Sequence, residues 1–164
     1  MVAAAAMLIG IVAGRNAPRI WLAATLTGCG AALAAALIVL GGGADWVWRG
    51  DIAVGGECLY LRLDAISALF MALLCGVGGA ASIYACEYWS DHEHPRSACA
   101  GRIWWNVMLV NLGIVLLAAN GLHFLIAWEI FTVAAYFLIT LNRQRPAVRA
   151  AGRVPNSRCV PPAG

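Results

Sequence analysis

The stretch LHFLIAWEIFTVAAYFLITL, Leu122–Leu141, is apolar along almost its whole length, and Glu129 is its only acidic or basic residue apart from His123. At a helical rise of about 1.5 Å per residue, its length matches the roughly 30 Å hydrocarbon core of a bilayer. Glu129 would then lie well inside the lipid, where an acidic side chain costs on the order of 2.5–3.5 kcal/mol. The stretch therefore predicts a membrane helix that carries an ion or proton site.

The composition of the whole chain agrees with a membrane protein. Of its 164 residues, 62% are hydrophobic and only 12% are charged, which is too little charge to cover the surface of a soluble domain. The net charge of +3 comes from arginine, because the chain contains no lysine. Lysine is the usual partner of a titrating acid in proton pathways, so its absence bears on function.

Five apolar segments predict an all-α integral membrane fold. The first segment is only about 20 Å long by helical rise and is short for a span. Asp64 is placed to cap the third helix, and Asn120-Gly121 forms a tight turn between the last two. The predicted helices lie near residues 2–14, 20–40, 64–84, 103–119 and 122–141.

One loop between the predicted helices and the segment after the last helix have compositions of their own. Residues 44–62 alternate in polarity and predict a short extramembrane hairpin that turns at Gly55-Gly56. Residues 143–164 are basic and proline-rich, and their composition predicts a disordered cytoplasmic tail after a membrane domain at 1–142.

The arginines predict the orientation in the membrane. Three groups of arginine fall on the same side of the five predicted helices, whereas Arg49 and Arg62 lie in the 44–62 loop on the other side, together with Asp45, Asp51 and Glu57. The positive-inside rule makes the side with the three groups cytoplasmic. We expect a multi-pass protein of the inner (cytoplasmic) membrane, with its N-terminus outside and its C-terminus in the cytoplasm. The three groups are Arg15 and Arg19, Arg96 and Arg102, and Arg143, Arg145 and Arg149.

Small residues recur at helical spacing on two of the predicted helices. Such stripes let helices approach closely in lipid, although an alanine-rich sequence also produces them by chance. The stripes are Ala24, Gly28, Ala32 and Ala36 on the second helix and Ala72, Gly76 and Ala80 on the third.

A polar stripe on the fifth helix predicts a proton-translocation site. Glu129, Thr132, Tyr136 and Thr140 are spaced to share one face. A carboxyl balanced between desolvation and a nearby cation can gain and lose a proton near neutral pH. The alternative is a permanently protonated Glu129 that bonds to a neighbouring helix. His123 is either a proton relay or, more commonly for such a position, a surface group at the helix start.

The sequence gives little support for a metal, cofactor, catalytic or nucleic-acid site. Cys86, His92, His94 and Cys99 have no familiar zinc-finger spacing, so we expect no metal site there. The six cysteines contain no C-x-x-C pair. No phosphate-binding glycine loop, nucleophile triad or nucleic-acid patch is found, and we expect neither a cofactor nor a catalytic site.

Three runs carry a resemblance to a known family. They are RLDAISALFMALLCGVGGAASIYACEYW, NVMLVNLGIVLLAANGLHFLIAWEIFTVAAYFLI and QRPAVRAAG, within Leu61–Gly152. They resemble the antiporter-like membrane subunits of respiratory complex I (chain 5, or subunit L), of hydrogenase-4 and formate hydrogenlyase, and of large sodium/proton antiporters. The specific part is the core A-N-x-L-x-F-L-x-A-W-E, Ala119 to Glu129.

The resemblance implies a role for Glu129. It matches the family's fifth-helix glutamate, which pairs with a lysine on a broken seventh helix and modulates the proton affinity of that lysine. Subunits of this type hold no redox cofactor, and they work beside other membrane subunits of an NADH:quinone oxidoreductase or a group 4 hydrogenase complex.

The chain also departs from the family pattern. Family members continue into further helices and carry the partner lysine, whereas the residues after Gly152 read RVPNSRCVPPAG. We therefore expect an N-terminal, truncated part of a proton-translocating subunit that is not competent alone. The alternatives are a small structural or assembly subunit and a non-functional gene remnant.

Overall fold

The computed structural model describes residues 18–92, 94–95 and 97–141. Its elements in chain order are α1 (Pro18–Leu40), β1 (Trp46–Val54), β2 (Glu57–Leu63), α2 (Ala65–Tyr88), α3 (Ala98–Leu117) and α4 (Gly121–Ile139). All four helices are long and apolar enough to cross a membrane. The predicted helical membrane fold is confirmed, but the predicted count of five is one higher than the four spans in these residues. The predicted helix at 2–14 and the tail at 143–164 lie outside the described residues.

The largest difference in helix bounds is at the start of α3. This helix begins at Ala98, whereas the sequence predicted a start near residue 103 because Arg102 appeared to mark a loop. Arg102 is instead helical and buried, with its guanidinium Nη1 2.8 Å from Asp91 Oδ1. The ion pair neutralises the charge that had suggested a helix boundary, so the arginine can enter the bundle.

The loop after α1 forms the predicted hairpin. Strands β1 and β2 pair antiparallel, from Trp46 opposite Leu63 to Val54 opposite Glu57. The turn at Gly55-Gly56 has positive φ at both residues, 64° and 87°. Two-residue turns of this kind match the twist of paired strands and favour glycine, which is why this sequence turns there.

The hairpin docks on the turn between α3 and α4. The Ala119 amide donates to the carbonyl of Tyr60 at 3.0 Å, and Asn120 Nδ2 donates to Glu57 Oε2 at 3.2 Å. Asn120 also caps α4, because its Oδ1 accepts from the amide of Leu122 at 2.8 Å. The hairpin and the α3–α4 turn therefore lie at the same end of the bundle, as the predicted alternation of helices requires.

The helices pack as two antiparallel pairs. Helix α1 packs along α2, α3 packs along α4, and α2 joins the pairs by contacting α3. Among the described helices, α4 is the least buried and packs chiefly against α3. It therefore forms an edge of the described bundle.

Small residues line the helix contacts only partly as predicted. On α1, Gly28 and Ala36 are buried as expected. On α2, the predicted stripe is wrong, since Gly76 and Ala80 are exposed. The buried face of α2 consists of Ala68, Met71, Cys75, Gly78, Gly79 and Ser82. An alanine- and glycine-rich helix offers small residues on more than one face, and only the neighbouring helices select one.

Asp64 caps α2 as predicted. Its Oδ1 accepts a hydrogen bond from the amide of Ser67 at 2.8 Å. That bond to the backbone amide is the main cause that holds the pKa of Asp64 below its usual value. The cap satisfies one of the free amides of the first helical turn.

We expect Asp64→Ala to lower the melting temperature in detergent by about 2–4 °C, the usual size of a lost helix cap in a chain of this length. Because the folded pKa is depressed, the charged cap stabilises fully above the unfolded pKa of about 3.9, and that stabilisation is lost as pH falls through the folded pKa. Asp64→Asn keeps the acceptor and serves as the control. Thermal scans from neutral to acid pH should show wild type losing stability relative to Asp64→Asn, and parallel curves would contradict the assignment.

Candidate functional site

Glu129 lies on the outer face of α4. The buried residues of this helix are His123, Ala127 and Ala134, which form the face toward α3. Glu129 follows Ala127 by two residues, about 200° around the helix, and its side chain is exposed. It stands near the middle of α4, a helix long and apolar enough to cross a membrane, and no described element covers it.

Thr132 and Tyr136 share this outward surface with Glu129. Both are exposed, and the Thr132 hydroxyl donates to the main-chain carbonyl of Glu129 at 2.8 Å. Thr140 is buried instead, and its hydroxyl donates to the carbonyl of Tyr136 at 2.8 Å. The predicted stripe is therefore three residues long, and within the described part of the chain the Glu129 carboxyl has no hydrogen-bond or ion-pair partner. We call Glu129, Thr132 and Tyr136 the outer polar face.

His123 is buried and lies apart from Glu129. Its exposed fraction is 5%, and neither ring nitrogen has a hydrogen-bond partner among the residues that the structure describes. The expectation of a surface histidine is wrong, because His123 lies on the buried face of α4, which packs against α3. Six residues separate His123 from Glu129, which places them roughly 120° apart around the helix. The structure does not bring these two residues together.

A second polar region, missed by the sequence analysis, lies inside the bundle. The Thr25 hydroxyl of α1 donates to Asn106 Oδ1 of α3 at 3.0 Å, and both side chains are fully buried. The indole Nε1–H of Trp21 donates to the main-chain carbonyl of Arg102 at 3.2 Å. These bonds tie α1 to α3.

The ion pair of Arg102 and Asp91 closes the end of this region that faces away from the hairpin. The Arg102 side chain is only 9% exposed, whereas that of Asp91 is 48% exposed. A cavity of about 190 Å³ adjoins the pair and is lined largely by aromatic side chains, among them Trp21 and Trp105. The sequence signal for this ion pair was an acid, Asp91, upstream of Arg102 near a predicted helix start. No local pattern indicated that the two side chains would meet.

The two polar regions have different chemical capacities. The interior region is hydrogen-bonded across helices, and such bonds hold helices in register. The outer polar face presents a carboxyl without a described partner, and a carboxyl at this depth stays ionisable only beside water or a cation. The outer polar face is therefore the candidate proton site, and the interior region is structural.

Comparison with known proteins finds relatives over part of the chain. Hydrogenase-4 component B of Escherichia coli is 22% identical over 92 residues, 56% of this chain and 14% of that protein. NADH-quinone oxidoreductase subunit L of Buchnera aphidicola is 29% identical over 95 residues, 55% of this chain and 15% of that protein. The Mycobacterium tuberculosis subunit L is 26% identical over 108 residues, 66% of this chain and 16% of that protein. No family model matches the chain.

These matches confirm the resemblance to the antiporter-like subunits. The chain is a multi-pass membrane protein. It spans about a seventh of the length of the relatives it matches, since the matched part is 14–16% of those proteins.

We expect the bond between Thr25 and Asn106 to contribute measurably to stability. A double-mutant cycle with Thr25→Val and Asn106→Leu should give a coupling of about 0.6 kcal/mol, the usual size of an inter-helix hydrogen bond in a membrane. Asn111→Leu is the control, because Asn111 Nδ2 donates to Val107 of its own helix at 2.8 Å. Unfolding in mixed micelles measures all variants. Equal coupling of Thr25 to Asn111 would contradict the interpretation.

Proposed function

We propose that the chain carries the Glu129-bearing part of a proton-translocating membrane subunit, in a complex I-like NADH:quinone oxidoreductase or a membrane-bound group 4 hydrogenase complex. Glu129 is the residue that gains and loses the proton. One observation carries the proposal: a carboxyl lies near the middle of a membrane helix, on a face that no described element covers. The names of the relatives, a hydrogenase component and a quinone oxidoreductase subunit, support it.

The exposure of Glu129 implies a neighbour in the assembled complex. A carboxyl facing acyl chains costs on the order of 2.5–3.5 kcal/mol, and two arrangements remove that cost. The side chain is protonated permanently, or a polar surface of another helix covers it. The Tyr136 hydroxyl on the same surface adds the hydrogen-bonding capacity of a protein contact. We propose the second arrangement, with a cation on the covering helix that allows the carboxyl to ionise.

The partners are then other membrane segments of the complex, and they bind at the outer polar face. Helix α4 is suited to this role because it is the least buried of the described helices. Within the described residues, its inner face is already occupied by α3. His123 lies on that inner face, so we assign no relay step to it.

We place the protein in the inner membrane with its N-terminus outside and its C-terminus in the cytoplasm. The hairpin and the α3–α4 turn would face outward, and the Asp91–Arg102 pair would lie at the cytoplasmic end. Arg102 is ion-paired, so the other arginines of that side carry most of the positive-inside signal.

We expect Glu129→Gln to reduce redox-driven proton translocation by about tenfold or more, since a positioned proton-transfer group commonly contributes at least that much. The amide keeps the size and hydrogen-bonding capacity of the carboxyl but cannot exchange its charge. Proton uptake by inverted membrane vesicles of the host, energised with NADH or formate, measures the effect.

Thr132→Val is the matched control on the same face. The Thr132 hydroxyl is bonded to its own helix, so its loss should leave translocation nearly unchanged. A Glu129→Gln strain that pumps at the wild-type rate with a normally assembled complex would refute the proposed role.

The second candidate is a structural or assembly subunit, which the exposed face of α4 also favours. Native gels of the Glu129→Gln strain separate the two functions. A proton site predicts an intact complex that does not pump, whereas an assembly surface predicts loss of the complex together with its pumping.

We further expect the isolated chain to be incompetent for transport, because Glu129 has no described partner that could switch its charge. Liposomes that contain the purified chain should collapse an imposed pH gradient no faster than empty liposomes. Sustained flux driven by the gradient, abolished by Glu129→Gln, would show that the chain works without a neighbour.

A further inference from the structure

The cavity of about 190 Å³ at the end of the bundle away from the hairpin has an aromatic wall, to which all four helices contribute. Its volume is far larger than the ~15 Å³ that one water requires, and an apolar wall offers water few hydrogen bonds. The cavity therefore suits an occupant larger than water. Five of the described residues in its lining are aromatic: Trp21, Tyr84, Tyr88, Trp89 and Trp105.

Tryptophan and tyrosine at helix ends often serve only as an interfacial belt that anchors a protein in the membrane. Two of these rings do not fit that alternative. Trp21 is 1% exposed, and its indole donates to the main-chain carbonyl of Arg102. Trp105 Nε1 donates to the Ser82 hydroxyl at 2.8 Å. Both rings are held inside the bundle as part of the cavity wall, so anchoring at the outer surface does not account for them.

The cavity lies beside one charge of each sign. Arg102 lines it with a side chain that is 9% exposed, and its Nη1 is 2.8 Å from Asp91 Oδ1. The Asp91 side chain is 48% exposed, so its carboxylate is accessible to a group that arrives from the surface. A ligand with linked positive and negative charges would match this pair, whereas a ligand of one charge would meet one repulsive partner.

The lining also holds a buried donor that lacks an acceptor among the described residues. This donor is the indole Nε1 of Trp89. His94 stacks on the Trp89 ring, with ring centroids 3.8 Å apart. A buried donor without an acceptor is costly, so the site favours an occupant that supplies an oxygen.

We propose that this cavity binds the headgroup of a zwitterionic phospholipid of the phosphatidylethanolamine class. The aromatic faces attract its ammonium group, because a ring presents the negative face of its quadrupole to a cation. Asp91 attracts the same ammonium, while the phosphate accepts from the Trp89 indole and lies toward Arg102. Leu138 and Leu141 also line the cavity and give the first part of an acyl chain an apolar contact. The bound lipid ties the ends of the four helices together.

The test uses the full chain, stripped of lipid in a non-ionic detergent and titrated with dioctanoyl phosphatidylethanolamine. Native mass spectrometry counts the bound lipid, and we expect one per chain at saturation. Dioctanoyl phosphatidylglycerol has the same chains without the ammonium, and dioctanoylglycerol has no phosphate or ammonium. Each should bind at least about tenfold more weakly. This comparison uses wild-type protein, so it holds even if a variant fails to fold.

Two variants test the site itself. Tyr88→Leu keeps an apolar wall but removes an aromatic face, and it should weaken phosphatidylethanolamine binding about three- to tenfold. Trp89→Phe keeps a ring and removes the donor, and it should weaken binding about fivefold. Tyr60→Leu is the matched control, because Tyr60 lies on the hairpin at the other end of the bundle. Its affinity should equal that of wild type.

Three results would each overturn the proposal. The first is no retained phosphatidylethanolamine. The second is equal affinity for the three lipids, which would show that an acyl chain alone fills the cavity. The third is selectivity that survives both Tyr88→Leu and Trp89→Phe, which would place the lipid elsewhere. The proposal is independent of Glu129, so its failure leaves the proton-site proposal in place.

Discussion

A membrane interior contains no water to satisfy polar groups, so each polar side chain in a membrane helix must find its partner within protein. This constraint organises the described bundle. Asn106 meets Thr25, which lies 81 residues away in sequence, and Arg102 meets Asp91 of the preceding loop. Glu129 and His123 are exceptions: no described residue bonds to the Glu129 carboxyl, and neither ring nitrogen of buried His123 has a described partner. The proposed function rests on Glu129, because its carboxyl lies on the outer face of α4, which no described element covers.

Different surfaces of α4 hold the bundle together and carry the proposed proton site. The hairpin docks on the α3–α4 turn and anchors the end of α4, while α3 covers its inner face. The outer face is left for contact with neighbouring protein. A proton site at such a surface responds to the charge of whatever covers it, because a nearby cation and desolvation act in opposite directions on a carboxyl. On the proposed function, this placement would make the carboxyl respond to a neighbouring subunit.

Features of the chain that depend on nearby residues were predictable. The turn at Gly55-Gly56 needs positive φ, and Asp64 and Asn120 cap the helices that follow them. The buried face of α2, the burial of His123 and the helical place of Arg102 were not predictable. Each depends on tertiary packing: α1 and α3 pack on the buried face of α2, α3 packs on the face of α4 that carries His123, and Asp91 pairs with Arg102.

The sequence by itself determined that this is a helical membrane protein with an acid in mid-membrane, because the length and hydropathy of a span are properties of its own residues. Only the tertiary structure decided that Glu129 faces outward and that His123 faces inward. Helical periodicity specifies which residues share a face, but the packing of one helix on another selects the face that becomes buried.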